Sequence, residues 1–209
     1  MVFDDQSEHE KMQQTLIEKG LVPSAMLNKI DDFLDNIQAL CSLLAIDLSA
    51  YQADHIALRI NDAELTKAAH QAWLKYGKVI SEAQINGRPI IVLEFDNAVQ
   101  SHGWSIECLE LPYPAIGKTH PVEDWEHVEF VVPSNALTAD AFLQDLYEHF
   151  PNLECQLEKA KQQGVKVKLS SPKGEGERLA NPTVAFKFNN ICIKLHPHSL
   201  KNIVASEHE

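Results

Sequence analysis

The stretch Trp125-Glu126-His127-Val128-Glu129-Phe130-Val131-Val132-Pro133 reads as a short strand that stops at a proline. Side chains alternate across a strand with period two, so His127 and Glu129 fall on one face and Val128, Phe130 and Val132 on the other. A possible metal ligand is thereby set on a sheet that is apolar behind it. Seventy-two positions earlier, Asp54-His55-Ile56-Ala57-Leu58-Arg59-Ile60 has the same outline of an acid, a histidine and then alternating apolar residues. The two strands predict an internal repeat.

Working outward, the pattern around each strand is strand, helix and three further strands. In the first copy, residues 53–60 are a strand. Asn61 or Asp62 can cap a helix running to Tyr76, with Gly77 as a left-handed stop. Residues 78–85 and 88–95 are strands joined by the tight turn Asn86-Gly87, and 104–111 is a fourth strand ended by Pro112. In the second copy the order is a strand at 126–132, a helix over 138–150, a strand at 165–169, and a polar loop from 170 to 182 that could close over a ligand. Two strands joined by Asn189-Asn190 then end at Pro197. The expected fold is α+β: two βαβββ modules forming a cup-shaped, partly closed mixed sheet. Module one spans 51–112, a Pro-rich linker 113–124, module two 125–197 and a closing segment 198–207. An N-terminal helical extension covers 1–50, in which Leu27, Ile30, Phe33, Leu34, Ile37, Leu40, Cys41 and Leu44 recur at helical spacing. That greasy face suits packing or a homodimer contact.

Composition narrows the function classes. A net charge of -12 opposes a phosphate backbone, and no long Lys/Arg block offsets it, which argues against a nucleic-acid partner. No stretch has the ~18 to 20 consecutive apolar residues of a membrane span. The acidic first twenty residues lack the basic start and apolar core of a secretory signal, so the expected location is cytoplasmic. Cys41, Cys108, Cys155 and Cys192 form no Cys-x-x-Cys pair and read as small buried hydrophobes. The partner class left is a small molecule.

Histidines at equivalent positions of a repeat point to a divalent metal in a cleft between the copies, which needs three or four ligands. The last strand of each copy is the place to seek the others. In the first it offers Glu107 and Glu110, and Glu110, beside the strand end, is preferred. In the second it offers Lys194 and His196; a protonated Lys cannot ligate, so His196 is the available ligand. Glu129 shares the face of His127 and suits a general base, an acid that orients an imidazole, or an ion pair with Arg59. Arg59 could instead hold a substrate carboxylate or phosphate.

Several of these motifs, in order, resemble the YecM family. They are Ala53-Asp54-His55-Ile56-Ala57-Leu58-Arg59, Ile85-Asn86-Gly87-Arg88-Pro89-Ile90, Glu110-Leu111-Pro112, Trp125-Glu126-His127-Val128-Glu129, Ser170-Ser171-Pro172-Lys173-Gly174-Glu175, Asn181-Pro182-Thr183, His196-Pro197 and Ile203-Val204-Ala205-Ser206-Glu207. The family is similar to the vicinal-oxygen-chelate superfamily of glyoxalase I, extradiol dioxygenases and bleomycin-resistance proteins. That resemblance implies paired βαβββ modules around a divalent ion (Zn, Ni, Mn, Co or Fe). His55 and His127 match its first-strand ligands and Glu110 its fourth-strand carboxylate; Lys194 and His196 stand where the second module's carboxylate is expected. The implied function is metal-dependent isomerase, epimerase, lyase or dioxygenase chemistry on a small oxygenated, anionic substrate. The alternatives are a non-catalytic binder using the same cup, and a structural dimer module.

Overall fold

The structure is a computed structural model that describes residues 2–171 and 179–207. The polar loop expected to close over a ligand falls mostly outside the described residues. Three helices come first: α1 (Val2–Glu18), α2 (Pro23–Asn28) and α3 (Ile30–Leu44). Pro23, which lacks an amide hydrogen, opens α2. The single helix expected through 44 is broken at Lys29, after which α3 buries Ile30, Phe33, Leu34, Ile37, Leu40, Cys41 and Leu44 along one face. Ala45 closes it in the left-handed conformation.

Module one follows as β1 (Gln52–Leu58), α4 (Ala63–Trp73), β2 (Gly77–Ser81), the short β3 (Gln84–Ile85), β4 (Arg88–Ser101) and β5 (Trp104–Pro112). Asp62 is the cap of α4, its Oδ1 accepting from the Leu65 amide at 2.8 Å. Gly77 is not the left-handed stop that its position suggested; it is the first residue of β2. A Cβ there would lie 2.1 Å from the Glu94 carbonyl oxygen, so close strand approach excludes any side chain. The Asn86-Gly87 turn has positive φ at both residues, as a type I′ turn requires. Strand β4 runs beyond the expected end at 95 and turns at His102-Gly103, both also at positive φ.

Module two is β6 (Trp125–Val131), α5 (Ala139–His149), α6 (Leu153–Gln162), β7 (Lys166–Ser170), β8 (Thr183–Phe188) and β9 (Ile191–His196), followed by α7 (Leu200–Ser206). Thr138 and Ser199 cap α5 and α7. Helix α6 is an addition to the expected repeat. Its charged sequence buries only Leu153, Leu157 and Ala160, too thin a stripe to stand out from a loop.

Among the described residues the strands form one nine-stranded open sheet, ordered β2-β4-β5-β1-β6-β9-β8-β7 with β3 beside β4. The order is symmetric about β1 and β6, which pair antiparallel, and each then pairs parallel with the last strand of its own module. Helices α4, α3 and α5 pack against β5, β6 and β8 respectively. Val128, Phe130 and Val132 are fully buried, as alternation predicts, together with Ile56 and Leu58 of β1. Residues from both ends of the strand order, Ser81 of β2 and Lys166 of β7, line one cavity of about 790 Å³, so the sheet curves into a cup. Cys41, Cys108 and Cys192 are buried as expected, whereas Cys155 is exposed on α6.

Candidate metal centre

Two bulges shape the centre of the cup. Between Ala53↔Phe130 and His55↔Glu129 the β1–β6 ladder skips Asp54, and between Ala57↔His127 and Leu58↔Trp125 it skips Glu126. Each bulged residue is the acid immediately before a site histidine. In a regular strand neighbouring side chains point to opposite faces, but a bulge re-aims them. Asp54 Oδ2 therefore lies 3.1 Å from His55 Nδ1, and Glu126 Oε1 lies 3.1 Å from His127 Nδ1. An Nδ1–H donated to a carboxylate leaves the Nε2 lone pair for a ligand, the arrangement typical of metal-bound imidazole.

The two Nε2 atoms approach the same place. His55, Glu110, His127 and Glu129 each offer a donor atom, and these four atoms lie within 4.8 Å of one another. His55 Nε2 is 2.8 Å from Glu110 Oε2 and 2.9 Å from Glu129 Oε2, and His127 Nε2 is 4.0 Å from Glu110 Oε1. Among the described residues neither buried Nε2 has an aligned hydrogen-bond partner. Orphaned imidazole nitrogens facing two carboxylates fit the donor set of a divalent transition metal. Glu110 is on the cavity side, opposite Ala57 in the register, while Glu107 faces Lys201 at 3.1 Å.

His196 takes a different place. It groups with Asp54 and His55, its Nε2 3.3 Å from Asp54 Oδ2 and its Nδ1 3.2 Å from Glu129 Oε1. The Asn181 amide donates to His196 Nδ1 at 2.9 Å. That bond leaves the ring proton on Nε2, facing Asp54. Asp54 also accepts from the Leu200 amide at 2.9 Å, tying the start of α7 to the site. Arg59 pairs with Glu126 at 2.7 Å, so the expected partner Glu129 is left to the histidines. Asp54, Glu126 and Asn181 were missed by the sequence reading as orienting residues. The repeated acid-His pair was the available signal, but regular alternation points the acid away.

The electrostatics follow this geometry. Burial lowers the pKa of His127 to about 4, assisted by the charge of Lys194. Burial also opposes protonation of His55, yet Glu110, Glu129 and Asp54 outweigh it and raise its pKa well above the ordinary value. Burial would raise Glu110, but His55 and His127 lower it to about 2. For Asp54, Glu126 and Glu129 the histidines likewise overcome burial and hold each carboxyl well below the usual range. In the metal-free chain a proton on His55 balances the carboxylates, and a cation would replace it.

These shifts predict acid lability of the metal-free chain. His127 has a lower folded than unfolded pKa, so the unfolded state binds more protons between pH 6.5 and about 4, and stability falls as pH drops through that window. Glu110 extends the loss from 4.5 down to about 2. His55, with a raised pKa, acts in the opposite sense: its contribution is present below 6.5 and lost as pH rises through its folded value. Urea titrations of chelator-treated protein between pH 7 and 4 should show a falling midpoint, and His127→Gln should flatten the upper part of that fall.

Paired βαβββ modules that bring two histidines and two carboxylates to the centre of a cup define a protein of the vicinal-oxygen-chelate fold class. The chain belongs to the YecM family, whose pattern, described as YecM protein, matches residues 23–207. Protein YecM of Escherichia coli (strain K12) is 37% identical over 179 residues, covering 84% of this chain and 88% of that protein. An uncharacterised protein of Haemophilus influenzae is 36% identical over 175 residues, covering 81% and 86%. The solved structure of Protein EC4020 superposes with a TM-score of 0.74 at 31% identity, covering 90% of this chain and 93% of that one. No helix among the described residues is long and apolar enough to cross a membrane.

Proposed function

We propose that the chain is a metal-dependent enzyme that moves a proton on a small oxygenated, anionic substrate, as an isomerase, epimerase or lyase. The observation that carries this reading is the convergence of two orphaned Nε2 atoms on Glu110 and Glu129. His55, Glu110 and His127 are the proposed ligands, with Asp54 and Glu126 fixing the imidazoles. A bound divalent cation would polarise vicinal oxygens as a Lewis acid. Glu129 accepts the substrate proton, its Oε2 lying 2.9 Å from His55 Nε2 beside the proposed ligands. Arg59 lines the cavity, is fixed by Glu126 and keeps its remaining guanidinium N–H groups for an anionic substrate group. A carboxylate beyond the two-His-one-carboxylate set favours proton transfer over dioxygenase chemistry.

Metal analysis of protein purified without an affinity tag tests the first step. Near-stoichiometric metal is expected in the wild type and background metal in the His55→Ala, His127→Ala double variant; equal, negligible metal in both would overturn the reading. One observation favours a second reading, a non-catalytic binder: Lys194, directly beside Glu129 in the register, stands where the fold class has its second carboxylate. Ligand-induced stabilisation without turnover across a substrate panel distinguishes it.

A further inference from the structure

The cup has a second chemical character besides its carboxylates. On β8 and β9 the register pairs Ala185 with Lys194 and Lys187 with Cys192, which sets Lys187 and Lys194 on one face as diagonal neighbours. On β7, Lys166 stands directly opposite Lys187 and Lys168 directly opposite Ala185. Lys166, Lys168, Lys187 and Lys194 all line the cavity, so three adjacent strands present four ammonium groups to one space. Like charges directly opposite across strands are destabilising, and Lys166 and Lys187 are such a pair.

Among the described residues none of the four has a carboxylate within ion-pair distance. In a chain of net charge -12, the lysines in ion pairs among the described residues are Lys11, Lys19, Lys29, Lys161 and Lys201, all outside the cavity lining. Across the cavity, Arg88 donates to the Tyr113 and Ile85 carbonyl oxygens at 3.2 and 2.7 Å and has no carboxylate within ion-pair distance among the described residues. Burial and the charges of Arg59, Lys187 and Arg88 hold the pKa of His120 down, against the opposing charge of Glu126, consistent with these cations facing a shared space. At its inner end the patch reaches the metal-binding group, since the Lys194 charge acts on His127, Glu110 and Glu129. Sequence separation hides the patch: the lysines come from three strands, and no block of basic residues marks them.

We propose that Lys166, Lys168, Lys187 and Lys194, with Arg88 opposite, form a subsite for a multiply charged oxyanionic group of the ligand, a phosphoryl group or a pair of carboxylates. The inference rests on the metal-site reading above and deepens it: the ligand is two-poled, with oxygens at the His55/His127 group and an oxyanion on the lysine face. Charge-assisted hydrogen bonds to such an anion would relieve the cross-strand repulsion that the unliganded fold carries.

The test is isothermal titration of full-length, chelator-treated protein with inorganic phosphate at fixed ionic strength, chloride serving as the reference anion. Saturable binding is expected in the wild type. It should weaken by about tenfold or more in Lys166→Gln, Lys187→Gln, which removes two cations from the anion's surroundings. That variant should melt no lower than the wild type, because it loses a like-charge pair, so weakened binding cannot be ascribed to misfolding. Lys11→Gln, Lys161→Gln, outside the cavity, should leave the isotherm unchanged. Absence of saturable phosphate binding, or equal affinity in the cavity variant and the wild type, would overturn the proposal. Malonate in place of phosphate separates the sources: tighter phosphate indicates a phosphoryl ligand and tighter malonate a dicarboxylate, and either sustains the subsite. Failure of the metal reading is seen separately, as missing metal in untagged wild-type protein.

Discussion

Asp54→Ala is expected to lower the stability of the chain by about 3 to 5 kcal/mol, the range for removing one partner from a buried charged network. Asp54 is fully buried, and its Oδ2 faces His55 Nδ1 at 3.1 Å, His196 Nε2 at 3.3 Å and the Leu200 amide at 2.9 Å. Alanine would leave His55 Nδ1 and the first turn of α7 without their acceptor and would remove the carboxylate that faces His196. Asp54→Asn keeps the shape but not the charge, so the stability loss should be smaller. Metal affinity should still fall by about 10- to 100-fold, as it does when the group orienting a ligand histidine is changed. Chemical denaturation reads the first effect and chelator competition the second. A loss of stability below about 1 kcal/mol in Asp54→Ala would mean that the three contacts do not act together.

Phe130→Ala should cost a similar amount, about 3 to 5 kcal/mol, by a different route. Phe130 is fully buried and meets the Trp104 ring edge-on with centroids 5.1 Å apart, on the side of the sheet where α3 packs. Truncation opens a cavity that the surrounding strands and helix cannot fill. Its neighbour Glu129 points to the other face, so metal content after purification should stay at the wild-type level while the denaturation midpoint drops. Glu129→Gln should show the reverse pattern: a smaller change of midpoint and weakened metal binding. Loss of metal in Phe130→Ala at a temperature where it is folded would show that the two faces of β6 are not separable.

The contrast between Phe130 and Glu129 also marks how far the sequence carries. Alternation in 127–132 and in 55–60 was enough to place Val128, Phe130, Ile56 and Leu58 in the core and to turn His55 and His127 toward a common cleft. The repeat of strand, helix and three strands was legible because each element has its own period and its own boundary signal, such as the Asp62 cap and the Asn86-Gly87 turn. Helix α6 was not legible, because a short helix with a narrow buried stripe has almost the composition of a solvated loop. Gly77 was misread because a glycine after a helix has two physical uses, a left-handed stop or a close approach, and only the distance to the Glu94 carbonyl separates them.

The sequence by itself determined which side chains share a face, since alternation is a local property of the strand. The tertiary structure alone decided which acids serve which histidines. Asp54 and Glu126 reach the imidazoles only because the β1–β6 ladder skips them, and a skipped residue is a property of two paired strands rather than of one. The same holds for the separation of His196 from the four-residue group and for the lysine face of β7, β8 and β9. Those arrangements follow from register between strands distant in sequence, which no local period encodes.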